Sequence, residues 1–351
     1  MLYNYRFFRS KLSISTKLLV LVKANAYGHG DIECSRLLEE FGADYLGVAL
    51  PSEGIGLKKA GINLPILILT PGLENYEEII QYGLEPSIFD FESARSFLGT
   101  LAKLKISSYP IHIKLDTGMH RVGFNPIDIA QLNKLLLSNN NLIVKSVFSH
   151  LSSADESKHD EFTRCQIELF KKMSSEILSV LNYKPMCHIL NSVGTERFTD
   201  AQMDMVRVGV GIYGTSYVDQ TKLKPVGSLQ APIIHIQEVS EGSVGYGRHG
   251  VIGETGKLIA TLPLGYADGV NRHLGRGAAC FMLNGKLVPT IGNICMDSLM
   301  LDITGTEAKI GDVVTIFGES PTAGDIAKIL KTISYEVYTS VSSRVQRVVV
   351  P

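Results

Sequence analysis

Eight short apolar runs, each followed by a longer stretch of mixed polarity, occupy the first two-thirds of this 351-residue chain. The runs fall at 18–22, 45–50, 65–70, 84–89, 111–115, 144–150, 187–191 and 206–213. Between them, 31–41, 76–82, 92–104, 127–137 and 161–181 carry apolar residues at helical spacing. A strand followed by a crossover helix, repeated this regularly, builds a parallel sheet. Eight such units is the number that closes a (β/α)8 TIM-like barrel. A doubly wound open sheet is the rival that the pattern alone leaves standing.

The rhythm changes near residue 223. Apolar runs at 233–239, 258–264, 278–283, 286–291, 299–303 and 313–317 follow without intervening helices, and one helical pattern, 323–330, interrupts them. Asn284-Gly285 between two of these runs is a hairpin signal, because both central residues of the tight turn must tolerate a positive φ. The expectation is a barrel over 1–222 and a C-terminal mainly-β domain over 223–351. Neither an internal repeat nor a low-complexity tract is evident.

Composition removes several function classes. Lys and Arg total 34 against 35 Asp and Glu, so no field of one sign exists to gather nucleic acid or an anionic membrane. The five cysteines are odd in number and widely spaced, without a CxxC pair, which argues against a disulfide framework or a zinc site. No run approaches the ~18 apolar residues of a membrane span, and no secretory leader is visible at the N-terminus. A cytoplasmic protein is expected.

In a parallel barrel, functional side chains collect where the strands end, since the βα loops there converge on one mouth. That rule selects Lys23 after the first run, Lys114, Asp116 and Arg121 after the fifth, and His150 after the sixth. It adds Asn191 and Ser192 after the seventh, and Arg207 with Gly209 in the eighth. Each has a plainer reading. Lys23 could be a lysine reaching past an apolar strand to solvent, and His150 a hydrogen-bonded core histidine. Arg207, between Val206 and Val208, is harder to set aside, because a buried guanidinium keeps its proton and needs partners. A desolvated lysine condenses readily with a carbonyl, and a glycine turn offers backbone N–H groups to an anion. Pyridoxal 5'-phosphate combines both chemistries.

Several segments then resemble one known family. VKANAYGHG (22–30) resembles the cofactor-lysine motif of alanine racemases. KLDTGMHRVGF (114–124), SHLSSADE (149–156), LNS (190–192) and VRVGVGIYG (206–214) continue the likeness. So do VGYGRHG (244–250), LPLGYADG (262–269) and GNICMD (292–297), all in the family's order. The resemblance implies a pyridoxal-phosphate isomerase that interconverts L- and D-alanine and supplies D-alanine for peptidoglycan. Lys23 would hold the cofactor and act as one base; Tyr246, entering from the partner of a homodimer, would be the other. Tyr27, His150, Asn191, Ser192, Arg207, Gly209 and Val210 would hold the cofactor, with Arg207 at its ring nitrogen. Arg121 and the backbone of Met296 would bind the substrate carboxylate, and Lys114 stands where many members carry a carbamylated lysine.

The sequence departs from the family at three places. Ser343 replaces a tyrosine found in many members, which predicts a wider pocket that admits serine. Asn293 stands where some members carry an arginine near the substrate's access route. Lys23 follows only 22 residues, where a further strand usually precedes it. Two rivals remain: a decarboxylase of the same architecture, and a non-catalytic cofactor-binding barrel. Tyr246 and the short length weigh against the first, and the second domain against the other.

Overall fold

Residues 1–350 are described by a computed structural model. The first strand, β1 (Lys17–Leu21), is apolar on both faces, and four of its five residues are buried. Such a strand satisfies itself only between an interior and a layer of helices, as parallel sheets do. The strands β2 (Tyr45–Val48) and β3 (Ile66–Ile68) are likewise apolar and buried, while β4 (Glu85–Ile88), β5 (Tyr109–Lys114), β6 (Leu142–Phe148), β7 (Met186–His188) and β8 (Met205–Val208) are largely buried but carry polar residues among the apolar ones. All eight pair in parallel, in the order β7-β6-β5-β4-β3-β2-β1-β8. The remaining seam, between the runs of β7 and β8, is closed by Asp204 N–H on Cys187 O (3.1 Å) and Arg207 N–H on Leu190 O (3.0 Å). The architecture is therefore the closed barrel, and the open doubly wound sheet is excluded.

The helices follow from their apolar stripes. Phe91–Leu104 buries Ser93, Ala94, Phe97 and Leu101, one face at helical spacing, and Asp90 caps it by accepting from Ser93 N–H at 2.7 Å. Helices at Pro51–Lys59 and Leu2–Ser10 were not legible in the sequence. In the first, two glycines dilute the apolar stripe; in the second, aromatic and charged residues do so. Leu2–Ser10 places Phe8, wholly buried, against Gly211, where any Cβ would come within 2.4 Å of the ring.

By its packing the chain divides into two units, Met1–Ala26 with Gly30–Leu223, and Tyr27–His29 with the chain from Lys224 onward. The second unit holds antiparallel sheets of three, two and four strands. Its four-stranded sheet contains the hairpin Cys280–Leu283 to Lys286–Pro289, turned by Asn284 (φ 48°) and Gly285 (φ 79°). Its buried side is lined by Phe281, Leu283, Val314 and Ile316, among others. Two helices lie here rather than the expected one: Ala323–Leu330 and the short Ser334–Thr339. Among the described residues, no helix is long and apolar enough to cross a membrane.

Candidate active site

At the C-terminal end of the barrel the residues selected from the strand ends come together. Arg207 is 2% exposed. Its Nη1 donates to His188 Nδ1 (2.7 Å) and the His188 carbonyl (3.3 Å). Its Nη2 donates to the carbonyls of Ser149 (2.5 Å) and Ile189 (3.2 Å) and to His150 Nδ1 (3.1 Å). None of these five contacts uses Nε–H. Burial, and then the charge of Arg121, push the Arg207 pKa down to about 9, so it keeps its proton at neutral pH. The guanidinium also lies over the Phe148 ring at 5.3 Å, and that ring stacks on His188 at 5.1 Å.

Lys114 is buried beside this cluster, with Nζ donating to Leu115 O at 2.6 Å. Burial, followed by the charges of Arg207 and Arg121, lowers its pKa to about 7, against a smaller pull from Asp116. Lys23 is lowered by burial and Arg121 and raised by Glu53. His150 is driven well below the ordinary histidine range by burial, then by Arg207, Arg121, Lys114 and Lys23 in turn. Three cationic side chains and a partly charged Lys114 thus act on one neutral imidazole, an excess of positive charge that suits an anionic ligand.

Local backbone sets these positions. β1 ends at Leu21, two residues before Lys23, rather than at Lys23 itself. Ala24, Asn25, Ala26 and Tyr27 then run through left-handed φ values of 51° to 54°. Each such non-glycine residue costs about 1–2 kcal/mol, so the turn needs outside support. Glu53, at the start of helix Pro51–Lys59, supplies it: its carboxylate accepts from Ala24 N–H at 2.6 Å and from Ala49 and Leu50 N–H at 2.8 and 3.0 Å. Arg121 sits on a loop organised by Asp116, whose Oδ1 accepts from the N–H groups of Gly118, Met119 and His120 at 3.0–3.1 Å. Gly123 is obligatory there, since a Cβ would fall 2.5 Å from Asp116 N.

Between β7 and β8 lie the residues expected to hold a phosphate. Asn191 caps Ser192–Arg197, accepting from Gly194 N–H at 2.8 Å. Ser192 Oγ accepts from Gly209 N–H at 2.9 Å and Gly211 N–H at 3.4 Å, leaving its O–H to donate elsewhere. Val210 is buried in the same turn. The free Ser192 O–H, the unused Nε–H of Arg207 and Lys23 fit a phosphorylated pyridine aldehyde: a donor for a phosphate, one for a ring nitrogen, and a lysine for the carbonyl.

The other expected residues belong to the second unit. Tyr27 packs its ring on Tyr335 (5.8 Å), and burial raises its phenol well above the usual range. Tyr246 is 73% exposed on a short turn, Tyr246–Arg248, with Gly245 and Gly247 at φ 75° and 69°. Asn293 is only 3% exposed; its Nδ2 donates to Tyr246 O (2.7 Å) while its Oδ1 accepts from Arg276 Nε (2.7 Å). Met296 is half-exposed, with its carbonyl accepting from Ala267 N–H at 3.0 Å. Ser343 is exposed, and the next residue, Arg344, bridges Asp268 and Asp297 at 2.6 Å each. Sequence reasoning missed Glu53, Phe148 and His188. Only His188 left a signal, a histidine inside the apolar run MCHIL.

Comparison with known proteins gives a consistent set of matches. The family described as "Alanine racemase, N-terminal domain" matches residues 1–217, and "Alanine racemase, C-terminal domain" matches 226–349. "Alanine racemase 1" of Clostridium acetobutylicum is 39% identical, over 99% of this chain and 92% of that protein. The alanine racemase structure of Clostridium difficile 630 superposes with a TM-score of 0.91 at 33% identity, covering 97% of this chain and 91% of that one. That of the D-cycloserine producer Streptomyces lavendulae gives 0.91 at 31%, over 98% and 93%.

Proposed function

The chain belongs to the alanine racemase family, and from that premise we propose that it interconverts L- and D-alanine with bound pyridoxal 5'-phosphate, as a cytoplasmic homodimer that supplies D-alanine for peptidoglycan. The observation that carries this reading is the buried Arg207 guanidinium, hydrogen-bonded to His150 and His188 and sharing the Phe148 ring with buried Lys114 at the barrel mouth. Bound pyridoxal phosphate supplies a carbonyl that takes up the amino group and a ring that withdraws electrons from Cα.

The chain's own residues would do the rest. Lys23 holds the cofactor and, lowered by burial and Arg121, exchanges a proton with Cα on one face. Tyr246 of the partner subunit serves the other face, since inversion needs a donor opposite the acceptor. Arg207 keeps its proton at neutral pH, so it would offer the cofactor's ring nitrogen a hydrogen bond and not a transferable proton. Ser192, Asn191, Gly209, Val210 and Tyr27 receive the phosphate, with His150 near the ring. Arg121 and the Met296 backbone hold the substrate carboxylate. Lys114, with a pKa of about 7, is substantially unprotonated at neutral pH, the form that takes up carbon dioxide. A carbamate there would place an anion among Lys23, Arg121 and Arg207.

The test measures D-alanine formation and solvent-deuterium incorporation from L-alanine, with pyridoxal phosphate added to parent and Lys23→Ala proteins. Racemisation by the parent, lost in the variant, is the expected result. Bound cofactor without any exchange at Cα would overturn the reading. Ser343 adds a corollary on substrate range: L-serine is expected to be racemised as well, and a strict preference for alanine in the same assay would remove it.

A further inference from the structure

A line of buried polar side chains crosses the barrel interior from the mouth to the opposite end. Arg207 Nη1 meets His188 Nδ1 at 2.7 Å, and His188 Nε2 meets Ser146 Oγ at 2.8 Å. Ser146 Oγ meets His112 Nδ1 at 2.6 Å, and His112 Nε2 meets Glu85 Oε2 at 2.7 Å. The members come from five consecutive strands, β4 to β8, and His112 stands opposite Ser146 in the β5–β6 register. His112, Ser146 and His188 have no exposed surface, and Glu85 is 8% exposed. Tyr45 sets its ring edge-on to His112 at 6.2 Å. The proposed chemistry at the mouth uses Arg207 but none of the other four.

With both rings neutral, the two ends dictate the direction of every hydrogen bond between them. A guanidinium only donates and a carboxylate only accepts. Arg207 therefore obliges His188 Nδ1 to accept, which places the His188 proton on Nε2, donating to Ser146. Ser146 then donates to His112 Nδ1, and His112 Nε2–H donates to Glu85. Burial and the Arg207 charge hold His188 neutral, as this order requires. A second proton on His112 would leave Ser146 Oγ accepting from both rings, with no acceptor in this line for its own O–H, a cost in a dry interior. The line has one consistent polarity, and Glu85 is its negative end.

We infer that Glu85 is a positioning residue: through His112, Ser146 and His188 it fixes the tautomer of His188 and thereby the orientation of the Arg207 guanidinium and its Nε–H at the barrel mouth. This rests on the cofactor reading above only for what Nε–H faces. The relay itself belongs to this chain whether or not that reading holds.

The experiment uses holoenzyme labelled with 15N-histidine, and assigns His112 and His188 by single substitution of each. Long-range 1H–15N spectra should give both rings as neutral Nε2–H tautomers. A doubly protonated His112, or an Nδ1–H tautomer of either ring, overturns the relay. Glu85→Leu, Glu85→Gln and Ser146→Ala are then compared by the visible absorption of bound pyridoxal phosphate and by kcat and KM. Glu85→Leu should shift the absorption and lower kcat about tenfold with KM changed little, well short of the ~100-fold that an ångström of misplacement can cost. Glu85→Gln, which keeps an acceptor, should recover most of both. In the Ser146→Ala background, Glu85→Leu should add nothing further. Additive effects of the two substitutions, or an unchanged spectrum in Glu85→Leu, sink the proposal. Should the parent neither racemise nor bind the cofactor, the functional reading fails while the tautomers still judge the relay.

Discussion

Lys114 and Arg207 in the barrel are 6% and 2% exposed, whereas Tyr246 and Met296 in the second unit are 73% and 54% exposed. In the barrel Arg207 is pinned by five hydrogen bonds, and the acidities of Lys114, Arg207 and His150 are moved by burial and by neighbouring charges. In the second unit the backbone is pinned instead: Asn293 holds the Tyr246 carbonyl, and Gly245 and Gly247 shape the turn, while the phenol stands in solvent. A buried cation cluster is organised before any ligand arrives, at a cost in desolvation. An exposed aromatic ring contributes little until another surface covers it, as the proposed partner subunit would. The two regions should therefore respond differently to mutation, the first in stability and acidity as well as rate, the exposed Tyr246 ring in rate alone.

Tyr246→Phe gives the largest expected effect and separates the two. Racemisation should fall ~100- to 10,000-fold, the range for loss of a general acid–base group, with the unfolding midpoint within a degree of the parent's. Exchange of the Cα proton of one enantiomer should survive, because Lys23 is untouched. A drop in stability comparable to that of a core substitution would break the contrast. Glu53→Ala is its counterpart in the barrel. It leaves three backbone N–H groups and the strained turn of Ala24–Tyr27 without their acceptor. The loss should be about 2 kcal/mol, read from urea denaturation, together with weaker cofactor binding. An unchanged midpoint would mean that the left-handed turn holds itself.

The same contrast decides what was legible in the sequence. The barrel's eight strands were readable because a parallel strand buried on both faces is a continuous apolar run, and the Asn284-Gly285 turn because few dipeptides tolerate two positive φ values. Lys23, His150, Arg207 and Ser192 could be picked from the strand ends for the same topological reason. Glu53 was invisible: it acts through backbone N–H groups, which carry no sequence signature, from a helix whose two glycines hide its period. His188 and Glu85 read as ordinary polar residues beside apolar runs, since nothing local says that five strands will align them. Tyr246 drew attention only through family resemblance, because an exposed tyrosine between glycines resembles any loop. Asn293, expected near a substrate route, lies under the Tyr246 turn, a placement that depends on how two loops meet.

Lys114 turns the comparison into a pH dependence. Its pKa is about 7 folded and 10.5 in a free chain, so between those values the unfolded state binds more protons, and stability rises with pH. The burial penalty is full below pH 7 and fades toward pH 10. Measured against Lys114→Met in carbonate-free buffer, the parent should gain about 2 kcal/mol between pH 7 and 9. Parallel curves for the two proteins would place the Lys114 ammonium in a wetter site than the structure gives it.

Asn293→Ala should have the smallest effect, and it sharpens the contrast most. The amide bridges Arg276 and the Tyr246 carbonyl, and both would turn to solvent once it is gone, since the Tyr246 turn is open on its outer side. Loss of the two hydrogen bonds should lower stability by about 1 kcal/mol. The turn loses its anchor at the residue whose ring must reach Cα, so kcat should fall by about tenfold, with KM nearly unchanged, because displacing a reacting group harms the transition state more than binding. A rate loss larger than the stability loss accounts for would mean that Asn293 acts on the position of Tyr246. Equal losses would reduce it to one more packing residue, and the second unit would then resemble the barrel after all.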